Sequence, residues 1–268
     1  PRGLSNSEDW EQCITQLIQD IPRSIKKSLM ACAVDGTSGT LLACNERGQA
    51  LGEALPYHIS CPEQKSELMR LLPGGGNAAN INSSLARALR LKQEYGQQAL
   101  LRHQSDWLTG WLLGNWRWGE EANNFRLGWD PQKKSWPLSL ETPLWQKSLP
   151  LIVESGRILS TIAPERARQL GIPKHLLIIA GTTDSNAAFL SANLKEEEGL
   201  TVLGSTIVVK RSLNQPIHEI GVTNHRLMNK WICGGASNTG GNILKKLFSD
   251  QILKELSQQI DPEMDSGL

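Results

Sequence analysis

The run His175-Leu-Leu-Ile-Ile-Ala-Gly-Thr-Thr-Asp-Ser-Asn-Ala-Ala-Phe-Leu190 constrains the fold more than any other segment. An apolar stretch ends in Gly-Thr-Thr, an aspartate follows at once, and small and apolar residues continue at helical spacing. That order predicts a buried strand, a tight turn and a helix opening at Asp184. A carboxylate so placed sits at the mouth of a sheet, where α/β proteins put their chemistry. Further along, Val202-Leu-Gly-Ser-Thr206 repeats the strand-then-Gly-Ser/Thr pattern without the acid. An acid on one turn and a phosphate-sized cradle on the next predict phosphoryl transfer to a hydroxyl.

The rest of the chain reads as mixed α/β. Ser5-Asn-Ser-Glu8 offers a capping box for an amphipathic helix that carries Trp10, Ile14, Leu17 and Ile18 and stops at Pro22. Ser28–Val34 reads as a buried strand, Asp35–Gly39 as a turn, and Thr40–Cys44 as the returning strand. Asn82–Gln93 and Gln104–Leu113 read as helices, Gly114–Pro150 as loops and short elements, and Pro164–Leu170 as a short helix. Beyond a charged turn at Lys195–Gly199, Leu200–Gly204 and Ile207–Lys210 form a hairpin, Trp231–Cys233 a strand and Gly240–Phe248 a helix. Pro73-Gly-Gly-Gly-Asn77 lacks the Lys-Ser/Thr of a nucleotide P-loop and follows no clear strand, so it reads as a plain loop.

Composition narrows the partners. A net charge of +1 gives no electrostatic case for nucleic acid or an acidic membrane. The longest apolar stretches, Leu29–Val34 and Leu176–Ala180, are strand-length and far too short to span a bilayer. Five scattered cysteines without Cys-x-x-Cys spacing read as reduced, cytoplasmic thiols and not as a disulfide framework or a zinc site. Of nine tryptophans, seven lie between Trp107 and Trp145. They fit either a stacking platform for a sugar or base, or the filling of one subdomain's core.

Four segments are candidates for chemistry. Asp184 is either a general base or a structural N-cap; a base in that position typically contributes about 10²–10⁴-fold in rate. Gly204-Ser205-Thr206 is either an anion nest with hydroxyl donors or an ordinary hairpin turn. Gly234-Gly-Ala-Ser-Asn-Thr-Gly-Gly241, with Gly235, Ser237, Asn238 and Gly240, permits close approach of a ligand to backbone ahead of a helix. Asp35-Gly36-Thr37-Ser38 is a further Gly-Thr-Ser turn at a strand end. Such turns spread over two halves point to a nucleotide gripped between lobes. A hydrolase with paired carboxylates fits less well, because no second acid stands near Asp184 in sequence.

These segments, together with His103-Gln-Ser-Asp-Trp-Leu108 and Asn123-Asn-Phe-Arg-Leu-Gly-Trp-Asp130, resemble the FGGY carbohydrate kinases. The likeness is nearest to the D-ribulose kinase branch of cyanobacteria and plants, and it runs along almost the whole chain in the same order. It implies the actin/hexokinase-like fold, in which two ribonuclease-H-like domains close over ATP and a sugar, with Mg²⁺ as cofactor. It implies that Asp184 is the base, that Asp35, Gly36, Thr37, Ser38, His103, Asp106 and Asn123 shape or support the sugar side, and that Thr183, Gly204, Ser205, Thr206, Gly234, Gly235, Ser237, Asn238 and Gly240 serve ATP. It divides the chain into a sugar-binding domain over residues 1–194 and the start of a nucleotide-binding domain over 195–268.

The departures are specific. The family opens with an Asp-x-Gly-Thr-Ser turn, whereas Asp35-Gly36 has no intervening residue and follows the Trp10 helix, as a later, sugar-side hairpin does. The expected chain is therefore an internal piece, without that first hairpin and without the adenine-holding Gly-Gly-Gly lobe. His58 stands where the branch commonly has Asn, and Glu120-Glu121 where Ser-Asp is usual; both bear on which sugar is bound. The resemblance implies phosphorylation of a pentulose, D-ribulose first, with xylulose or another polyol, or sugar binding without catalysis, as alternatives. Oligomeric state is not legible in the sequence.

Overall fold

The first helix begins where Asn6 accepts a hydrogen bond from the Glu8 amide at 2.9 Å, one residue later than the Ser5 cap the sequence predicts. It ends at Ile21 because Pro22 cannot continue it. The structure is a computed structural model that describes residues 3–195, 197–204, 206–237, 239–261 and 263–265. The chain divides into two units, Pro1–Ser191 with His225–Asn229, and Ala192–Asn224 with Lys230–Leu268.

Unit 1 runs α1 (Ser7–Asp20), α2 (Arg23–Lys26), β1 (Ala31–Ala33), β2 (Leu41–Cys44), α3 (Lys65–Leu71), α4 (Ser84–Tyr95), β3 (Leu100–His103), α5 (Gln104–Leu113), β4 (Trp118–Glu120) and α6 (Glu121–Asn124). It continues with α7 (Pro143–Gln146), β5 (Leu151–Val153), β6 (Ile158–Thr161), α8 (Pro164–Leu170), β7 (Leu177–Ile179) and α9 (Asp184–Ser191). Parallel β1 and antiparallel β6 flank β7, β2 pairs antiparallel with β3, and β4 pairs parallel with β5.

Two expectations are corrected here. The strand expected over Ser28–Val34 is shorter, and only one of its faces is covered. Ala31 and Ala33 are exposed on one side of the pleat, whereas Cys32 and Val34, on the other, pack against the core. Its partner is also not the returning segment. β1 pairs with β7, and β2 crosses to a different sheet, with Leu41 opposite His103.

The core forms two clusters. One gathers Trp10, Trp107, Trp111, Leu112 and Ile178, the other Leu41, Leu85, Leu91, Leu101 and Leu127. The clustered tryptophans fill this interior. Trp107, Trp111 and Trp145 are buried, and Trp116, Trp118, Trp129 and Trp136 are half-buried. Trp107 Nε1 donates to Gly48 O and Trp116 Nε1 to Trp107 O, so these two ring N–H groups are met inside the protein, whereas Trp111 Nε1 is buried without a hydrogen-bond partner.

Unit 2 holds β8 (Gly199–Leu203), β9 (Ile207–Leu213), β11 (Lys230–Ser237), α10 (Gly241–Leu247) and α11 (Asp250–Gln258), together with the first two residues of β10 (Thr223–Leu227), in a sheet of order β10-β11-β9-β8. The β8–β9 hairpin matches the sequence reading. β11 is longer than the expected Trp231–Cys233 and takes in Gly234, Gly235 and Ser237, which the sequence placed after the strand. Close strand approach explains the first glycine, since a Cβ on Gly234 would overlap the Val209 carbonyl. Among the described residues no helix is long and apolar enough to cross a membrane, and no disulfide joins any of the five cysteines.

Candidate active site

At the end of β7 the chain is laced to the end of β1. The Thr182 amide donates to Asp35 Oδ1 at 2.8 Å, the Gly36 amide to Thr182 O at 3.3 Å, and the Asp184 amide to Gly36 O at 2.8 Å. Gly181 makes this approach possible, because a side chain there would overlap the Val34 carbonyl. Gly36 in turn lies against α5, where a Cβ would come 3.0 Å from the Ser105 amide nitrogen.

Asp184 is the first residue of α9, and it is exposed. The capping role falls to buried Thr183, whose Oγ1 accepts the Asn186 amide at 3.3 Å. Asp184 Oδ1 accepts the adjacent Ser185 amide at 2.8 Å. The carboxylate is thus held at a helix N-terminus by its own backbone, on an exposed residue. Arg126, which the sequence reading did not single out, lies within electrostatic reach of it. Burial holds that guanidinium below the usual arginine range, and Asp184 pulls it back up.

The predicted sugar-side residues separate into two layers. Asp35 is exposed, Thr37 and Ser38 are half-buried, and Thr37 is fixed by Gln104 Oε1, which accepts its amide at 3.0 Å. His103, Asp106 and Asn123 lie beneath, all buried. His103 Nε2 is 3.0 Å from Ser84 Oγ, and Asp106 accepts the Glu120 amide and Asn124 Nδ2 at 2.9 and 3.0 Å. Asn123 Nδ2 donates to Ser105 Oγ and Glu120 Oε2, both at 3.0 Å. They form a buried frame under the turn and do not present atoms to solvent.

Glu120, noted from sequence only as a departure bearing on the sugar, is the hub of that frame. Its carboxylate accepts the Ala122 and Asn123 amides at 2.9 Å each and Ser155 Oγ at 2.5 Å. Burial pushes it up to about 7 against those hydrogen bonds, with neighbouring Asp106 adding to the rise. The signal that would have found it is a Glu directly before the helix whose amides it caps.

In unit 2 the register brings Leu203, Ile207 and Ser237 together at one end of the sheet. There the Gly241 amide donates to Gly204 O at 2.8 Å and the Gly204 amide to Thr206 O at 3.3 Å, while Ser237 Oγ lies 2.5 Å from Thr239 Oγ1. Gly240 is the N-cap of α10. Gly204, Thr206, Ser237 and Gly240 therefore converge. Gly234 and Gly235 sit further down β11, opposite Lys210 and Val209, and are not brought to that turn. Ser205 and Asn238 lie outside the described residues.

Comparison with solved structures fixes the architecture. The xylulose kinase from Rhodospirillum rubrum superposes with a TM-score of 0.83 at 14% identity, covering 100% of this chain and 60% of that one. The gluconate kinase from Lactobacillus acidophilus gives 0.78 at 15% identity, covering 97% of this chain and 58% of that one. Plasmodium falciparum glycerol kinase with ADP gives 0.74 at 14% identity, covering 93% and 57%. The fold is actin/hexokinase-like. No protein-family model matches the chain, and it spans less than two thirds of the length of these kinases. Within this actin/hexokinase-like fold the β7–α9 junction and the β8–β9 turn are the two places where the sequence motifs and the convergent backbone groups coincide.

Proposed function

We propose that this chain carries the sugar side and the beginning of the nucleotide side of an ATP-dependent, cytoplasmic sugar kinase, with residues 1–194 and 195–268 in those roles. The substrate is a pentulose, D-ribulose first and xylulose as the alternative. The observation that carries the proposal is the exposed Asp184 carboxylate, set at the start of α9 by the Gly36 carbonyl and bordered by a Gly-Thr-Ser turn. The sugar-kinase structures of the same fold support it.

In this reading Asp184 takes the proton of the attacking hydroxyl as its oxygen bonds to the γ-phosphorus of ATP and the bond to the ADP oxygen breaks. Thr37 and Ser38 orient the sugar hydroxyls, and the buried frame of His103, Asp106, Glu120 and Asn123 keeps the turn in place. Gly204, Thr206, Ser237 and Gly240 receive nucleotide phosphate through backbone and hydroxyl donors, with Thr183, Ser205, Asn238, Gly234 and Gly235 assigned to the same side by the resemblance. Among the described residues no group of three or more His, Cys, Asp or Glu is placed to hold a metal ion. Mg²⁺ is usually held by one or two carboxylates together with substrate phosphates. Asp35, exposed on the turn that adjoins Asp184, would be the carboxylate to hold it, and the ion would supply charge neutralisation at the phosphates.

The test is ADP release by this chain with Mg²⁺·ATP and D-ribulose, D-xylulose or glycerol, beside Asp184→Asn. Turnover with one pentulose that falls about 10²–10⁴-fold in the variant, with an unchanged melting curve, is expected. Full activity in the variant removes Asp184 from the reaction. Sugar binding without any ADP release would make the chain a sugar-binding module instead.

A further inference from the structure

Arg87 is completely buried in α4, and its charge serves no carboxylate. Instead its fork gathers three backbone carbonyls from two segments. Nε donates to Gly39 O at 3.0 Å, and Nη1 donates to Ile59 O at 2.8 Å and Tyr57 O at 3.2 Å. Nη2 is buried without a hydrogen-bond partner against Gly39, whose φ of 92° and lack of a Cβ let the guanidinium close on the backbone. A second tie joins the same two segments. The Tyr57 amide donates to Thr40 Oγ1 at 3.3 Å, and that oxygen lies 2.8 Å from Thr37 Oγ1.

We propose that Arg87 is a positioning residue that locks the Asp35–Thr40 turn to the Tyr57–Ile59 segment and so sets which hydroxylated carbon chain the site accepts. This rests on the sugar-kinase reading above. A buried charge is costly, and an apolar side chain of similar size usually packs at least as stably, so what the guanidinium contributes is geometry. Burial lowers its pKa to about 10, and it stays charged at neutral pH. A lysine at this position would concentrate its donors on one nitrogen in place of a planar fork, and so could not reproduce bonds that now leave from both Nε and Nη1. What the lock presents is a small surface of mixed character. Ser38 offers a hydroxyl and Thr37 an acceptor oxygen, its own proton being shared between Gln104 Oε1 and Thr40 Oγ1, while Tyr57 and His58 are exposed with their rings edge-to-face at 5.4 Å. Hydroxyl oxygens beside an aromatic pair suit a polyol chain, whose oxygens and C–H groups fall on opposite sides. A displacement of one segment against the other would alter which stereoisomer meets both.

The full chain is compared with Arg87→Lys and Arg87→Met by native-state hydrogen exchange and by tryptophan-fluorescence titration with D-ribulose and D-xylulose. The amides of Tyr57 and Ile59 in one segment, and of Leu41 and Leu55 flanking the two, are all hydrogen-bonded and report the lock directly. In Arg87→Lys their exchange should rise together by about tenfold, the scale of one charge-assisted hydrogen bond, while β7 and α9 keep wild-type protection. The ratio of the two sugar affinities should shift as well, whereas a merely loosened fold would weaken both sugars equally. If Arg87→Met does not fold, Arg87→Lys alone decides. Unchanged exchange in the two segments overturns the proposal, as does an unchanged affinity ratio in a protein that binds either sugar. A wild-type chain that binds neither pentulose overturns the sugar-kinase reading and the selectivity assigned to Arg87, and the exchange data then judge the lock by itself.

Discussion

The β7–α9 junction of unit 1 and the β8–β9 turn of unit 2 carry similar sequences and are built by different means. At the first, side chains hold an exposed carboxylate: exposed Asp35 and buried Thr183 accept backbone amides, and buried Glu120, Asn123 and Ser105 close a polar network beneath the turn. At the second, backbone meets backbone, Gly241 to Gly204 and Gly204 to Thr206, and most of β8 is exposed. A site made of side chains in a packed interior is rigid because deleting any member orphans another. A turn made of glycine backbone is open, and what harms it is added volume.

That contrast can be broken most decisively at two glycines. A Cβ at Gly181 would overlap the Val34 carbonyl, and one at Gly234 the Val209 carbonyl. Gly181 is laced on both sides into the β1–β7 junction, so Gly181→Ala should cost about 3 kcal/mol or more in chemical denaturation. Gly234 pairs with Lys210 in a sheet that can bulge, so Gly234→Ala should cost about 1–2 kcal/mol. Equal losses would mean that the two sites are equally rigid.

The next test uses pH and concerns the buried frame alone. Folding raises the Glu120 pKa to about 7 from the ordinary carboxylate value of 4.5. Between those values the folded protein holds a proton that the unfolded chain has released, so stability is full below about 4.5 and falls as pH rises toward 7. The decline should total about 3 kcal/mol, and Glu120→Gln should flatten it. Urea denaturation midpoints at several pH values measure this. A variant with the wild-type slope would show that Glu120 does not carry the proton.

What the sequence made legible was local. The strand, turn and helix around Asp184, the β8–β9 hairpin, and α4 and α5 within a few residues all follow from period, glycine and capping signals. What it hid was non-local. Nothing near Ala31 names Leu177 as its partner, so a β1–β2 hairpin was the natural reading of two strands joined by a short turn. Gly234 and Gly235 read as residues after the strand, in a segment open to ligand approach, and only the close packing of β9 on Gly234 explains that glycine within a strand. Arg87, Arg126 and Glu120 carry their charges into the site from separate elements. Side-chain chemistry at a distance leaves no spacing pattern to read, whereas Asp184 announces itself because its turn is contiguous.

The smallest effect sharpens the comparison at two helix caps. Asn6 caps α1, which buries Trp10 and Ile18 in the core of unit 1. Ser249 caps α11, accepting the Ile252 amide at 3.3 Å, in a helix with no buried residue. Removing either side chain frees one helix amide, a local cost of about 1 kcal/mol. In α1 that cost is transmitted, because the helix cannot fray without exposing Trp10, so Asn6→Ala should lower global stability by about the full amount. In α11 the helix can open without uncovering core, so Ser249→Ala should speed amide exchange within Asp250–Gln258 and leave the global midpoint where it was. A matching drop in the global midpoint for Ser249→Ala would show that α11 is coupled to a folded core after all, and that the openness ascribed to unit 2 stops at its turn.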